Sequence, residues 1–140
     1  MIIYLSIMLL VLNVRQIETP RTEPVLMRVT CYLPTGNKTA SGVYPKEGMC
    51  ASNRENLGKY AVVYDQEGEM IGIYLCADTG SNKKLKNGTA IDIYRDDMES
   101  AKAFIKAHGD FQYVAIVDKE EAVEIAKEKI KLARTGNKEN

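Results

Sequence analysis

Two acids in the sequence sit where a carboxylate could do proton chemistry. Tyr74-Leu75-Cys76-Ala77-Asp78-Thr79-Gly80 reads as a hydrophobic strand ending in an acid, with a Gly that permits a tight turn directly after it. An acid at a strand end is held by rigid structure yet open to a ligand. Ile91-Asp92-Ile93-Tyr94 places a second acid inside an apolar strand. There Asp92 points away from Ile91 and Ile93, onto a face shared with Ala90 and Tyr94. A half-buried carboxyl of that kind has a raised pKa, as a general acid near neutral pH requires. Plainer readings stand beside both. Asp before Thr-Gly is a common turn device, and Asp92 could be an exposed strand residue or the partner of Lys83, Lys84 or Lys86.

A third feature is the stretch Thr30-Cys31-Tyr32-Leu33-Pro34, followed by Thr39-Ala40-Ser41-Gly42. Its hydroxyls can offer donors and acceptors to a polar ligand such as a sugar, or simply form a surface loop. His108 stands alone before Gly109 and reads as a helix C-terminal residue favoured by the dipole. Three Cys and one His do not have zinc-site spacing, so no metal and no cofactor is expected. Cys31, Cys50 and Cys76 allow one internal bridge at most, or are small buried residues. The chain carries no phosphate-binding glycine loop and no nucleophile–base signature.

The elements that must position these residues follow from pattern. Strands are expected at Val25 to Tyr32, Ala61 to Asp65, Met70 to Ala77, Thr89 to Tyr94 and Phe111 to Val117, from their β-branched and aromatic content. Gln66-Glu67-Gly68-Glu69 reads as a hairpin turn. Asp96 and Glu99 have capping-box spacing, and Met98, Ala101, Phe104 and Ile105 share a helical face that Gly109 terminates. Asp118 and Glu121 repeat the capping spacing ahead of Ala122, Ile125, Ala126, Ile130 and Ala133, which predicts a C-terminal amphipathic helix. Thr135 to Asn140 should fray.

Length and charge bound the rest. The chain has 140 residues and equal numbers of basic and acidic side chains, 19 each. That balance argues against a polycation that binds nucleic-acid phosphates, and the length suits one domain. Residues 1–24 are set apart. Ile2 to Val14 is a 13-residue apolar run, too short to span a bilayer comfortably but suited to an export signal or anchor. The alternative is a first apolar element of the domain. Arg15 to Pro24 is polar and reads as a linker. The expected organisation is therefore a signal- or anchor-like segment (1–24), a β-domain (25–118) and a C-terminal helix with a frayed tail (119–140).

The order of these motifs resembles the three-aspartate (3D) domain of the membrane-bound lytic transglycosylase A family and of stationary-phase survival proteins. Thr30, Tyr32 and Pro34 match the opening strand end, and Thr39 to Gly42 match a Thr-Ala-Ser-Gly segment. Gly48 and Ala51 match a Gly-x-x-Ala stretch, and Leu57 and Gly58 a Leu-Gly pair. Ala77 to Gly80 and Ile91, Asp92 and Tyr94 match the two closing motifs. The match spans about residues 27–117. Ser52 and Asn53 stand where the family often has a further Asp, and the stretch between Asp78 and Asp92 is longer than usual.

The resemblance implies a mainly β fold, a six-stranded double-psi β-barrel with one or two short peripheral helices. It also implies a peptidoglycan lytic transglycosylase that cleaves the MurNAc–GlcNAc β-1,4 bond and leaves a 1,6-anhydro end. Asp92 would be the acid and base, and Asp78 would raise its pKa or orient it. Tyr32, Thr39, Ser41, Thr79 and Tyr94 would bind glycan. The partners would be peptidoglycan strands, with the first segment able to contact membrane and the protein monomeric, exported or anchored in a bacterial envelope or encoded by a phage. Two other classes fit parts of the sequence: a non-catalytic wall-binding module, and a dimeric aspartic protease built on Asp78-Thr79-Gly80.

Overall fold

The computed structural model describes residues 21–137. Six strands close into a barrel in the order β1-β5-β2-β4-β3-β6. They are β1 (Val25–Tyr32), β2 (Met49–Ser52), β3 (Tyr60–Tyr64), β4 (Met70–Thr79), β5 (Ala90–Tyr94) and β6 (Phe111–Val117). Three helices decorate it: α1 (Lys83–Lys86), α2 (Met98–His108) and α3 (Lys119–Gly136). The fold class is thus mainly β with peripheral helices and a C-terminal one. The run Ile2 to Val14 lies outside the described residues; among the described residues no helix is long and apolar enough to cross a membrane.

Two strand pairs are parallel, β1 with β5 and β2 with β4; the other four are antiparallel. Val29, Cys50, Ala61, Val63, Cys76, Ile91, Ile93 and Val114 fill the interior. A second apolar layer lies outside β3 and β6, where Ala122 and Ile125 of α3 pack on Val62, Ala115 and Val117. α3 starts as its sequence predicts, with the Asp118 carboxylate accepting from the Glu121 N–H at 2.8 Å and so satisfying an orphan donor of the first turn. The cap of α2 is Asp97, not Asp96: Asp97 Oδ1 accepts from the Ser100 N–H at 2.7 Å. The Asp96 N–H instead donates to Glu47. Both acids precede the helix, and the backbone decides which reaches it. Met98, expected on the buried face of α2, is exposed. Ile130 and Ala133, expected on the apolar stripe of α3, are exposed too, because α3 outruns the short strands beneath it.

Candidate active site

The register of the sheet assembles the acids. Asp92 on β5 is the neighbour of Thr30 on β1 and of Ala51 on β2. Ala51 is in turn the neighbour of Asp78 on β4. Register partners point to one face of a sheet, so Thr30, Asp92, Ala51 and Asp78 form one row across four strands. The row lies on the outer face, because Val29, Ile91, Ile93 and Cys50 occupy the alternate, inward positions.

Asp78 joins this row through an irregularity. Cys50 pairs with Cys76, but the next residue, Ala51, pairs with Asp78. One residue, Ala77, is therefore extra on β4. Strict alternation would put Asp78 on the same side as buried Tyr74 and Cys76. The extra residue turns it to the outer face, the usual effect of a bulge. Strand β4 also runs two residues beyond the expected end at Ala77, so Asp78 is within the strand and not in a turn. Gly80 likewise does not supply a left-handed turn. Its value is space: a Cβ there would stand 2.4 Å from a methyl of Leu85. Leu85 of α1 packs on Ala51 and Ala90, with the Tyr32 ring against them. The three lysines of Ser81 to Lys86 belong to α1 and are exposed.

Neither carboxylate is locked to a cation among the described residues. Thr30 Oγ1 donates to Asp92 Oδ1 at 3.0 Å. Asp78 Oδ1 accepts from the Ala40 N–H at 3.0 Å and from its neighbour Thr79 N–H at 2.8 Å. The Ser41 N–H donates to the Ala77 carbonyl at 3.0 Å, so residues 39–42 fold over the end of β4 and hold Asp78 in place. Burial pushes the Asp92 pKa upward; the Thr30 hydrogen bond opposes this and the negative charge of Asp78 adds to it. The two acids therefore act on each other through charge, across the Ala51 methyl, with no hydrogen bond between them. Their Cα atoms stand two strand spacings apart, about 10 Å.

The Tyr32 hydroxyl is buried close to the Asp78 carboxylate, though short of full hydrogen-bond geometry with any of the described residues. Burial first, then the nearby Asp78 and Asp92 charges, hold its phenol firmly protonated. Its ring meets Tyr94 edge-on, 5.4 Å between centroids. Tyr94 is 4 % exposed and Thr39 5 %. The Thr39 hydroxyl donates to the Val43 carbonyl at 2.7 Å and shares a 2.7 Å contact with Ser41 Oγ. Both residues thus shape the rim from beneath, while Ser41 is exposed and Thr79 half-exposed.

Immediately past the acid row, Ser52 pairs with Thr79. A polar cleft of about 560 Å³ opens there, bordered by Ser52, Asn53, Arg54, Thr79, Gly80 and Lys86. The sequence patterns above assign no ligand role to Arg54 or Lys86, and they offered the Thr30 hydroxyl to a ligand where the structure turns it to Asp92. The Ser52–Thr79 register and the wrap of α1 bring Arg54 and Lys86 to the cleft beside Thr79. A strand at Met49–Ser52 was not expected, although the Gly48–Ala51 motif marked the segment. Ser52 is buried, and its hydroxyl accepts from Asn56 at 2.9 Å. His108 ends α2 as expected, packed on Phe104. Among the described residues no group of three or more His, Cys, Asp or Glu is placed to hold a metal ion.

Comparison with protein-family models, curated proteins and solved structures finds no match. The site is therefore read from its own geometry: two half-buried carboxyls on the outer face of a closed barrel, with the pKa of Asp92 raised by its burial.

Proposed function

We propose that the chain is a peptidoglycan lytic transglycosylase of the three-aspartate domain type, cleaving the MurNAc–GlcNAc β-1,4 bond. The observation that carries this reading is the shared register of Asp78 and Asp92 on Ala51. The parallel pairs β1–β5 and β2–β4, set among antiparallel neighbours, support the double-psi form of barrel.

The reaction needs a proton delivered to the leaving oxygen and one removed from the 6-hydroxyl of the muramyl sugar. That hydroxyl closes on the anomeric carbon and no water enters. One carboxyl serves both steps in sequence, acid first and base second. Asp92 suits the role because burial and the Asp78 charge favour its protonated form. Thr30 engages Oδ1, which leaves Oδ2 to carry the proton. Asp78 is fixed by two backbone N–H groups, and a carboxylate held there also favours a cationic sugar transition state. Ser41 and Thr79 offer hydroxyls to glycan at the rim, and Tyr32, Tyr94 and Thr39 support that rim. The apolar run Ile2 to Val14 suits export to the cell envelope or anchoring there, next to the substrate.

The test is digestion of purified peptidoglycan by the full chain. Anhydro-ended fragments, lighter by one water than hydrolysed ones, are expected by mass spectrometry. Fragments with reducing ends, or none, would refute the reaction. One observation favours a second reading, a wall-binding module without catalysis: Ser52 holds the place of a family acid and is sealed by Asn56. Glycan binding by wild type and by Asp92→Asn, with no fragments from either, selects the module.

A further inference from the structure

Beneath the acid row runs a second row, facing the core, that the proposed reaction does not use. Register places Cys31 on β1 beside Ile93 on β5, Ile93 beside Cys50 on β2, and Cys50 beside Cys76 on β4. Cys50 and Cys76 are both 0 % exposed, and their sulfurs are 3.7 Å apart. Cys31 is two strands from Cys50, about 10 Å between Cα atoms, beyond the ~7 Å limit for a disulfide. Adjacent strands put the Cys50 and Cys76 Cα atoms about 4.8 Å apart, inside that limit.

We propose that Cys50 and Cys76 form an oxidation site, a dithiol that a small peroxide converts to an internal disulfide bridging β2 and β4 under the carboxylate row. The chemistry balances with the peroxide as sole oxidant. One Cys thiolate attacks a peroxide oxygen, the O–O bond breaks, and a sulfenic acid and hydroxide form. The other thiolate then attacks the sulfenic sulfur and expels a second hydroxide. Two thiols and one hydrogen peroxide yield one disulfide and two waters. A small neutral oxidant fits because neither sulfur meets solvent. Mutual hydrogen bonding and burial keep the Cys50 thiol protonated, so the reaction is slow compared with that of an exposed thiol.

Bond formation must draw the sulfurs from 3.7 Å to about 2.05 Å. The Cα spacing lies within the disulfide range, so rotation of the two side chains can close that gap. A thiol reductant reverses the link by thiol–disulfide exchange. The pair lies one residue before Ala51 and two before Asp78, and so acts on the floor of the acid row. This inference stands on the register and the sulfur contact, independently of the reaction proposed above.

The experiment treats the folded full chain with hydrogen peroxide, denatures it, alkylates free thiols and maps the linked peptides. The folded chain should yield only the Cys50–Cys76 link, and dithiothreitol should return both thiols. Chain oxidised in strong denaturant should give a mixture of all three pairings. In Cys76→Ser, Cys50 should stay unlinked. The proposal is overturned if the folded chain gives the same mixture as the denatured one, if the link involves Cys31, or if Cys50 and Cys76 both still alkylate. Cys31→Ser, which leaves the pair intact, must give the same link and guards against a misfolded Cys76 variant deciding the result.

Discussion

The two sides of the barrel differ in what covers them. Outside β3 and β6, α3 lays Ala122 and Ile125 over Val62, Ala115 and Val117, so apolar residues face both inward and outward. Outside β1, β5, β2 and β4, the row of Thr30, Asp92, Ala51 and Asp78 meets Leu85 of a four-residue helix, the Tyr32 ring and the loop at residues 39–42, with one flank of the Met98–His108 helix beside Thr30. A sheet face sealed by a long helix contributes stability through burial of apolar area. A face left open can hold charge, and there a half-buried acid costs stability but gains chemistry. Small Ala51 between the acids is what lets them share one field.

Four substitutions test that contrast, from the largest effect to the smallest. Asp92→Asn should abolish release of anhydro fragments, a loss of about a thousandfold or more, within the span of general acid–base contributions. The same change should raise the thermal midpoint at pH 7 by roughly 2 °C. The folded-state pKa of Asp92 lies above its unfolded value, so the stability it contributes is full below the unfolded pKa and is lost as pH rises through the folded one. Replacing the buried carboxylate removes that penalty. A fall in midpoint would show that Asp92 holds the barrel together.

On the sealed side, Ile125→Ala should cost about 2–4 kcal/mol by leaving a cavity under α3, read by urea unfolding. Activity well below the new midpoint should be unchanged. Loss of activity in step with stability would mean that the two sides are not separable.

Asp78→Asn keeps an oxygen for the Ala40 and Thr79 N–H groups but removes the charge. The Asp92 pKa then falls, and the alkaline limb of the pH–rate profile moves to lower pH. The rate at pH 7 should drop roughly tenfold. An unmoved limb would separate Asp78 from the proton chemistry. Gly80→Ala should cost about 1 kcal/mol, since Leu85 must give way to the new Cβ. No change in unfolding midpoint would show that α1 moves freely over the row.

Much of the architecture was legible because the residues carried period-two patterns. β1 and β6 run from end to end where alternation and β-branching placed them, and the Asp118 cap of α3 held. Strand β2 was not legible as a strand. Met49-Cys50-Ala51-Ser52 has no β-branched residue, and it is extended because β4 and β5 supply hydrogen bonds on both of its edges. The acids were found as candidates from their neighbours in sequence. Their convergence depended on β2 lying between them, and on one extra residue in β4 that no local pattern announces.

Sequence alone determined which residue types were available and their local order: two acids in apolar strands, a hydroxyl-rich loop, three cysteines, a capped terminal helix. These follow from propensity, alternation and capping, which act within a few residues. The tertiary structure decided which of them meet. Sheet register put Asp78 beside Ala51 and Ala51 beside Asp92, and paired Cys50 with Cys76. Register is a property of strands far apart in the chain, set by how the whole barrel closes.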